Sequence, residues 1–148
     1  SFAELADSKK GVVYRVDLGT GVAAPFATGL NVPEGLFLDA TGALFVTEWL
    51  LPSAVYHYPP NGGDIEAATQ LADGFDHAYG LLSDGAGGIF VGDHAGRVVR
   101  IASDGTQTDI VTGIGRPGGL WRAASGDLWI AEFVDFGQTG YLIRISGF

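Results

Sequence analysis

The chain has 148 residues, 24 of them glycine and none cysteine, with a formal charge of −9. That length makes one ordinary domain, and the lack of cysteine excludes disulfides and thiolate chemistry. With Lys9 and Lys10 as its only lysines, the acidic chain has no basic patch for nucleic acid or an anionic membrane, which leaves cations, neutral small molecules and basic proteins as partners.

Apolar runs are strand-length and broken by Gly, Pro or Asp, so no transmembrane helix is expected. The opening Ser1-Phe2-Ala3-Glu4 shows neither a basic segment nor a small-residue cleavage site. A cytoplasmic location, or a secreted or periplasmic one after leader removal, both fit that start.

In chain order, residues 2–30 read as three short strands. Residues 34–38, 43–47, 54–58 and 66–72 read as four more, punctuated by Thr41-Gly42 and Asn61-Gly62-Gly63. A second set of four follows at 79–83, 88–92, 96–101 and 106–112, with turn signals Asp84-Gly85 and Asp104-Gly105. Residues 118–146 supply three strands. With the strands of each unit lettered a to d, the first unit lacks a and the last lacks d.

A fixed ruler runs through these units. Gly29-Leu30, Gly74-Phe75 and Gly113-Ile114 each stand six residues before Gly35-Leu36, Gly80-Leu81 and Gly119-Leu120. Thirteen residues after each second glycine comes an acid: Glu48, Asp93 or Glu132, with Glu4 continuing the series backwards. Strand c carries its own marker in Arg15, His57, Arg100 and Arg144. Such spacing marks a tandem repeat of one supersecondary unit. Units of four antiparallel strands and about 40 residues form β-propeller blades, of which a closed ring takes 4 to 8. The reading is therefore all-β, with a partial blade 1–30, blades 31–75 and 76–114, and a partial blade 115–148. Fourteen strands make three and a half blades, an incomplete ring with exposed edges. The expectation is a fragment of a larger propeller, or a half that closes with a second propeller half as a homo-oligomer.

The phrase Val32-Pro33-Glu34-Gly35-Leu36-Phe37-Leu38, continuing to Glu48, returns as Arg116-Pro117-Gly118-Gly119-Leu120 and Asp127-Leu128-Trp129-Ile130-Ala131-Glu132. It resembles the repeat of six-bladed propellers, the superfamily that includes NHL-repeat proteins, the SMP-30/gluconolactonase group, strictosidine-synthase-like proteins and virginiamycin B lyase. The resemblance implies that Glu34, immediately before an inner-strand glycine, is a ligand of a divalent metal in the central channel. It implies action on a small molecule by lactone or ester hydrolysis, or by lyase chemistry.

Acids that recur at one place in every unit read as structural, because each repeat must satisfy the same backbone donors at the end of strand b. The strand-c arginines are candidates for blade-to-blade ion pairs with them. A functional residue should instead break the symmetry. The position before the inner glycine holds Glu34, Tyr79 and Gly118, and two residues further back stand Val32, His77 and Arg116. The loops from d to a and from b to c open on one face, and the b-to-c loops vary in length, as recognition loops do.

The candidate cluster is therefore Glu34, His77, Tyr79, His94 and Arg116, with Asn31 contributing an amide oxygen as a metal ligand beside Glu34. A Glu and two His suit a first-row divalent metal, whereas carboxylates with carbonyls suit Ca²⁺. Of the tryptophans, Trp129 and Trp121 read as packing residues at the places of Phe45 and Phe37, and Trp49 as a ligand contact. No nucleophile elbow, phosphate loop or His-Glu-x-x-His signature occurs. Two functions follow: a small-molecule enzyme with a divalent cation near Glu34, or a non-catalytic propeller module that assembles into a closed ring.

Overall fold

The computed structural model describes residues 9–135 and 139–147, and these fold into four antiparallel sheets joined in series. The first sheet pairs β1 (Gly11–Val16) with β2 (Ala23–Leu30). The second runs β3 (Pro33–Leu38), β4 (Leu44–Glu48), β5 (Ser53–Tyr58) and β6 (Thr69–Phe75) in sequence order. The third repeats that meander with β7 (Ala78–Ser83), β8 (Ile89–Asp93), β9 (Arg97–Ile101) and β10 (Gln107–Thr112). The fourth consists of β11 (Arg116–Arg122), β12 (Leu128–Asp135) and β13 (Thr139–Ile145). Among the described residues the sheets form no closed ring. Glu4 and the strand expected before residue 9 lie outside the described residues.

Alternation along strand b explains why the sheets stack. In β4, Leu44 and Val46 turn to the first sheet and join Val13, Ala27, Leu30 and Tyr58 in one core. Phe45 turns the other way, into a core with Ile89, Val91 and Val99 of the third sheet. On β8 the same rule sends Phe90 into a core with Leu128 and Ile130 of the fourth sheet. Every residue of β4 and of β8 is buried, as expected of strands covered on both faces. Each fully buried aliphatic side chain contributes about 1.5–3 kcal/mol, so the stability lies between sheets rather than within any one of them.

The repeated inner glycines have a steric reason. A Cβ on Gly35 would lie 2.1 Å from the Tyr79 carbonyl oxygen, and one on Gly80 would lie 2.0 Å from that of Gly118. The carbonyl before each inner glycine thus occupies the side-chain space of the glycine one strand earlier, and only hydrogen fits there. Thr47 reinforces the contact: its hydroxyl donates to the Tyr79 carbonyl at 2.6 Å and accepts from Gly35 N–H at 2.7 Å.

The strand expected at 66–72 forms later, at Thr69–Phe75, because Ile65–Ala67 makes a turn of 3-10 helix first. The strand-c arginines also choose other partners than the strand-b acids. Arg100 pairs with Asp84 at 2.6 Å and Arg144 with Asp127 at 3.1 Å. Both acids lie in the a-to-b turn of the arginine's own sheet, so these pairs brace a blade and do not cross to the next. Asp93 takes its cation from Arg97, at 2.8 Å.

Candidate functional site

The strand-b acids hold the d-to-a connections. The Glu48 carboxylate accepts from Asn31 N–H at 2.6 Å, Asp93 from Asp76 N–H at 3.0 Å, and Glu132 from Gly115 N–H at 2.5 Å. Each bond spans 17 residues. The three acids therefore do one structural job in three blades. Burial pushes the Glu48 carboxyl above its usual range despite the Asn31 hydrogen bond and nearby Lys9.

The residue after each acid is a ring in all three sheets: Trp49, His94 and Phe133. Backbone pairing fixes where these rings emerge. Trp49 N–H donates to the Val32 carbonyl at 3.1 Å, His94 N–H donates to the His77 carbonyl at 3.2 Å, and Phe133 pairs with Arg116 across β11 and β12. The b-to-c loop of one blade is thereby placed beside the start of strand a.

A continuous row of rings results, spread over three blades. Trp49 of the second sheet lies against His77 of the third, with ring centroids 4.4 Å apart. His77 is 6.0 Å from His94, and His94 stacks on Tyr79 at 5.1 Å with 19° between the planes. Phe133 of the fourth sheet meets His94 edge-on at 5.1 Å and Tyr79 at 6.4 Å. Such offset and edge-to-face contacts hold the rings in fixed orientations.

The two histidines differ. His77 is partly exposed, with Nδ1 3.3 Å from an Asp76 carboxylate oxygen. The His94 Nε2 is buried and has no hydrogen-bond partner among the described residues. Burial, reinforced by His77 and by Arg116, lowers the His94 pKa below the ordinary histidine value, against an opposing pull from Asp76 and Asp93. His94 is accordingly a neutral imidazole at neutral pH.

Of the residues singled out by sequence, Trp49, His77, Tyr79 and His94 share this ring row, and Arg116 stands near enough to act on the His94 charge. Glu34 lies one residue from the Gly35 contact and is exposed, yet the sheet around its carboxyl desolvates it enough to raise its pKa. The Asn31 side-chain oxygen accepts from Lys9 N–H at 3.1 Å. Among the described residues, no three His, Cys, Asp or Glu side chains are grouped to hold a metal ion. The donor set described here therefore does not fit a resident divalent cation unaided. Phe133 escaped the sequence reading although its signal was present: it follows Glu132 as Trp49 follows Glu48.

Sheets of four antiparallel strands, stacked through strand b and touching through inner glycines, define the β-propeller fold. Among solved structures, a gluconolactonase from Xanthomonas campestris matches with a TM-score of 0.70 and 19% identity, over 84% of this chain and 42% of that one. The PQQ-bound aldose sugar dehydrogenase of Streptomyces coelicolor matches at 0.67 and 16% identity, over 95% and 54%. A streptogramin B lyase matches at 0.63 and 18%, over 90% and 47%. All three share the propeller fold, and this chain spans about half of their length. No protein-family model matches the chain, and neither does any curated protein.

Proposed function

We propose that this chain carries part of a small-molecule enzyme site, in which His94 moves a proton during hydrolysis of a lactone or ester, or during lyase chemistry. The observation that carries the reading is the buried, unpartnered His94 Nε2 in a row of rings drawn from three blades. A neutral imidazole is the form that accepts a proton from water or from a substrate carbon acid, and a lowered pKa keeps it available at neutral pH. Tyr79 and Phe133 hold its plane, while Trp49 and His77 extend the surface on which a substrate lies. Two of the similar structures bear the names gluconolactonase and lyase, which supports these reaction classes. A divalent cation in this reading takes Glu34 as one ligand and draws the others from outside the described residues.

The test is proton release from a panel of aldonolactones and aryl esters across pH 5–9, with native chain and with His94→Gln. Turnover whose acidic limb disappears in the variant is the expected result. A variant as active as the native chain refutes the role of His94 and leaves a binding module.

A further inference from the structure

Residues 59–68 join β5 to β6, whereas residues 102–106 suffice between β9 and β10. The extra length in the second sheet lies on the first. Gly63 N–H donates to the Phe26 carbonyl at 2.8 Å and Thr28 N–H donates to the Gly63 carbonyl at 3.0 Å, so that Gly63 forms a parallel bridge with Ala27 of β2. The Thr28 hydroxyl donates to the Asp64 carboxylate at 2.6 Å, and Ile65 packs on the core that holds Leu30. A Cβ on Gly62 would collide with the Phe26 carbonyl oxygen, so the bare backbone of the loop is pressed against β2. Residues 62–65 are a clip between two sheets.

Asn61 stands immediately before this clip. The chain has two asparagines, and Asn31 is followed by the branched Val32 whereas Asn61 is followed by Gly62. An asparagine loses its amide when the backbone nitrogen of the next residue attacks the side-chain carbonyl carbon, and a glycine in that place offers its nitrogen without hindrance. Asn61 is exposed and open to water. The attacking nitrogen is not: Gly62 is buried, and its N–H donates to the Pro59 carbonyl at 2.8 Å across the turn. The residue order invites the reaction, and the docked clip withholds the nucleophile.

We infer that Asn61 is a deamidation site gated by the clip, reacting when residues 62–65 lift from β2 and yielding a product that no longer fits back. Solvent base takes the Gly62 amide proton, the nitrogen bonds to Asn61 Cγ, the Cγ–Nδ2 bond breaks, and ammonia leaves. Water then opens the succinimide at one carbonyl to give aspartate, or at the other to give isoaspartate. Isoaspartate puts an extra methylene into the main chain just before Gly62, where Phe26 leaves no room for a single added carbon. Either product adds a carboxylate to a loop that already carries Asp64 and Glu66. The reaction thus converts a reversible opening between the first two sheets into a permanent one. It is independent of the enzyme reading.

The test incubates the native chain at mildly alkaline pH, folded and in urea, and follows isoaspartate at position 61 by mass mapping. The folded chain should react about tenfold more slowly, because local opening must precede attack. Thr28→Val removes the hydroxyl bond to Asp64 and should speed the folded reaction about fivefold, the factor that one lost hydrogen bond gives, while leaving the rate in urea unchanged. Asp64→Ala should do the same from the other side of that bond. In the purified isoaspartate form, hydrogen-exchange protection at Thr28 N–H should be lost. Equal rates in the folded chain and in urea overturn the gating, and absence of reaction in urea overturns the site. Protection of Thr28 N–H that survives isoaspartate formation overturns the release of the clip.

Discussion

Two adjacent rows of residues cross the blades one position apart, and they behave oppositely. Glu48, Asp93 and Glu132 each bind a backbone N–H 17 residues back in the chain. Trp49, His94 and Phe133, immediately after them, share a ring contact with neighbouring blades but no common chemistry. A structural demand that recurs in every blade fixes the first row. The second row points to where blades meet, and it is free to vary as long as a flat side chain fills the joint. The recurring acids and the variable rings are thus separated by a single peptide bond.

The largest break in that contrast comes from removing an acid outright. Asp93 accepts from Asp76 N–H and Ala95 N–H and pairs with Arg97 while fully buried. Asp93→Ala leaves those donors without a carboxylate and should cost about 3–5 kcal/mol, read as a lower denaturant midpoint. Glu48→Gln keeps an acceptor for Asn31 N–H, and its carboxyl is already driven toward the neutral form by burial. Its expected cost is about 1 kcal/mol. A larger loss for Glu48→Gln than for Asp93→Ala would contradict the account of the acids.

The second row should respond to pH instead. His94 titrates lower in the folded chain than the unfolded value near 6.5. The unfolded state therefore binds more protons below that pH, and stability present above about pH 6.5 is lost as pH falls toward the folded pKa. Melting followed from pH 7.5 to 5.5 should show this decline, and His94→Gln should flatten it. The smallest effect belongs to Glu34. With Glu34 the one donor named for the cation among the described residues, adding Ca²⁺, Mg²⁺, Mn²⁺ or Zn²⁺ should leave the melting temperature of this chain nearly unchanged. A rise that Glu34→Gln removes would contradict the account of the donor set.

Most of the architecture was legible because glycines and acids recur at fixed spacings, and each spacing has a steric or hydrogen-bonding cause. Strand b read cleanly, since its apolar residues alternate between two cores. The start of β6 did not, because Ile65–Ala67 can complete a turn from local hydrogen bonds that leave no mark on periodicity. Trp121 read as packed since it stands at the place of Phe37, but Phe37 is covered by β7 and Trp121 is exposed, with no later sheet among the described residues. Ion pairs were the least legible. Arg100 reaches Asp84 through antiparallel geometry, which brings a turn 16 residues away to its guanidinium, and counting along one strand does not show it. Among the candidate residues, symmetry breaking before strand a singled out His77 and Tyr79, which the structure places in the ring row, whereas Phe133 had to be seen at its joint.

The joints themselves are unequal. Between the second and third sheets, the Ser53 hydroxyl donates to the Glu48 carbonyl at 2.6 Å and accepts from Ala78 N–H at 2.8 Å. At the next joint Gly96 stands in the place of Ser53 and Pro117 in the place of Ala78, so the hydroxyl and the N–H are lost together. Gly92 likewise replaces Thr47. One seam is stitched by hydroxyl groups, while the corresponding stitches of the other are replaced by close backbone contact, as where Gly92 nears the Pro117 carbonyl. Heat or mechanical pull along the arc should part the seam beside β11 before the one beside β7, giving the chain a built-in order of opening.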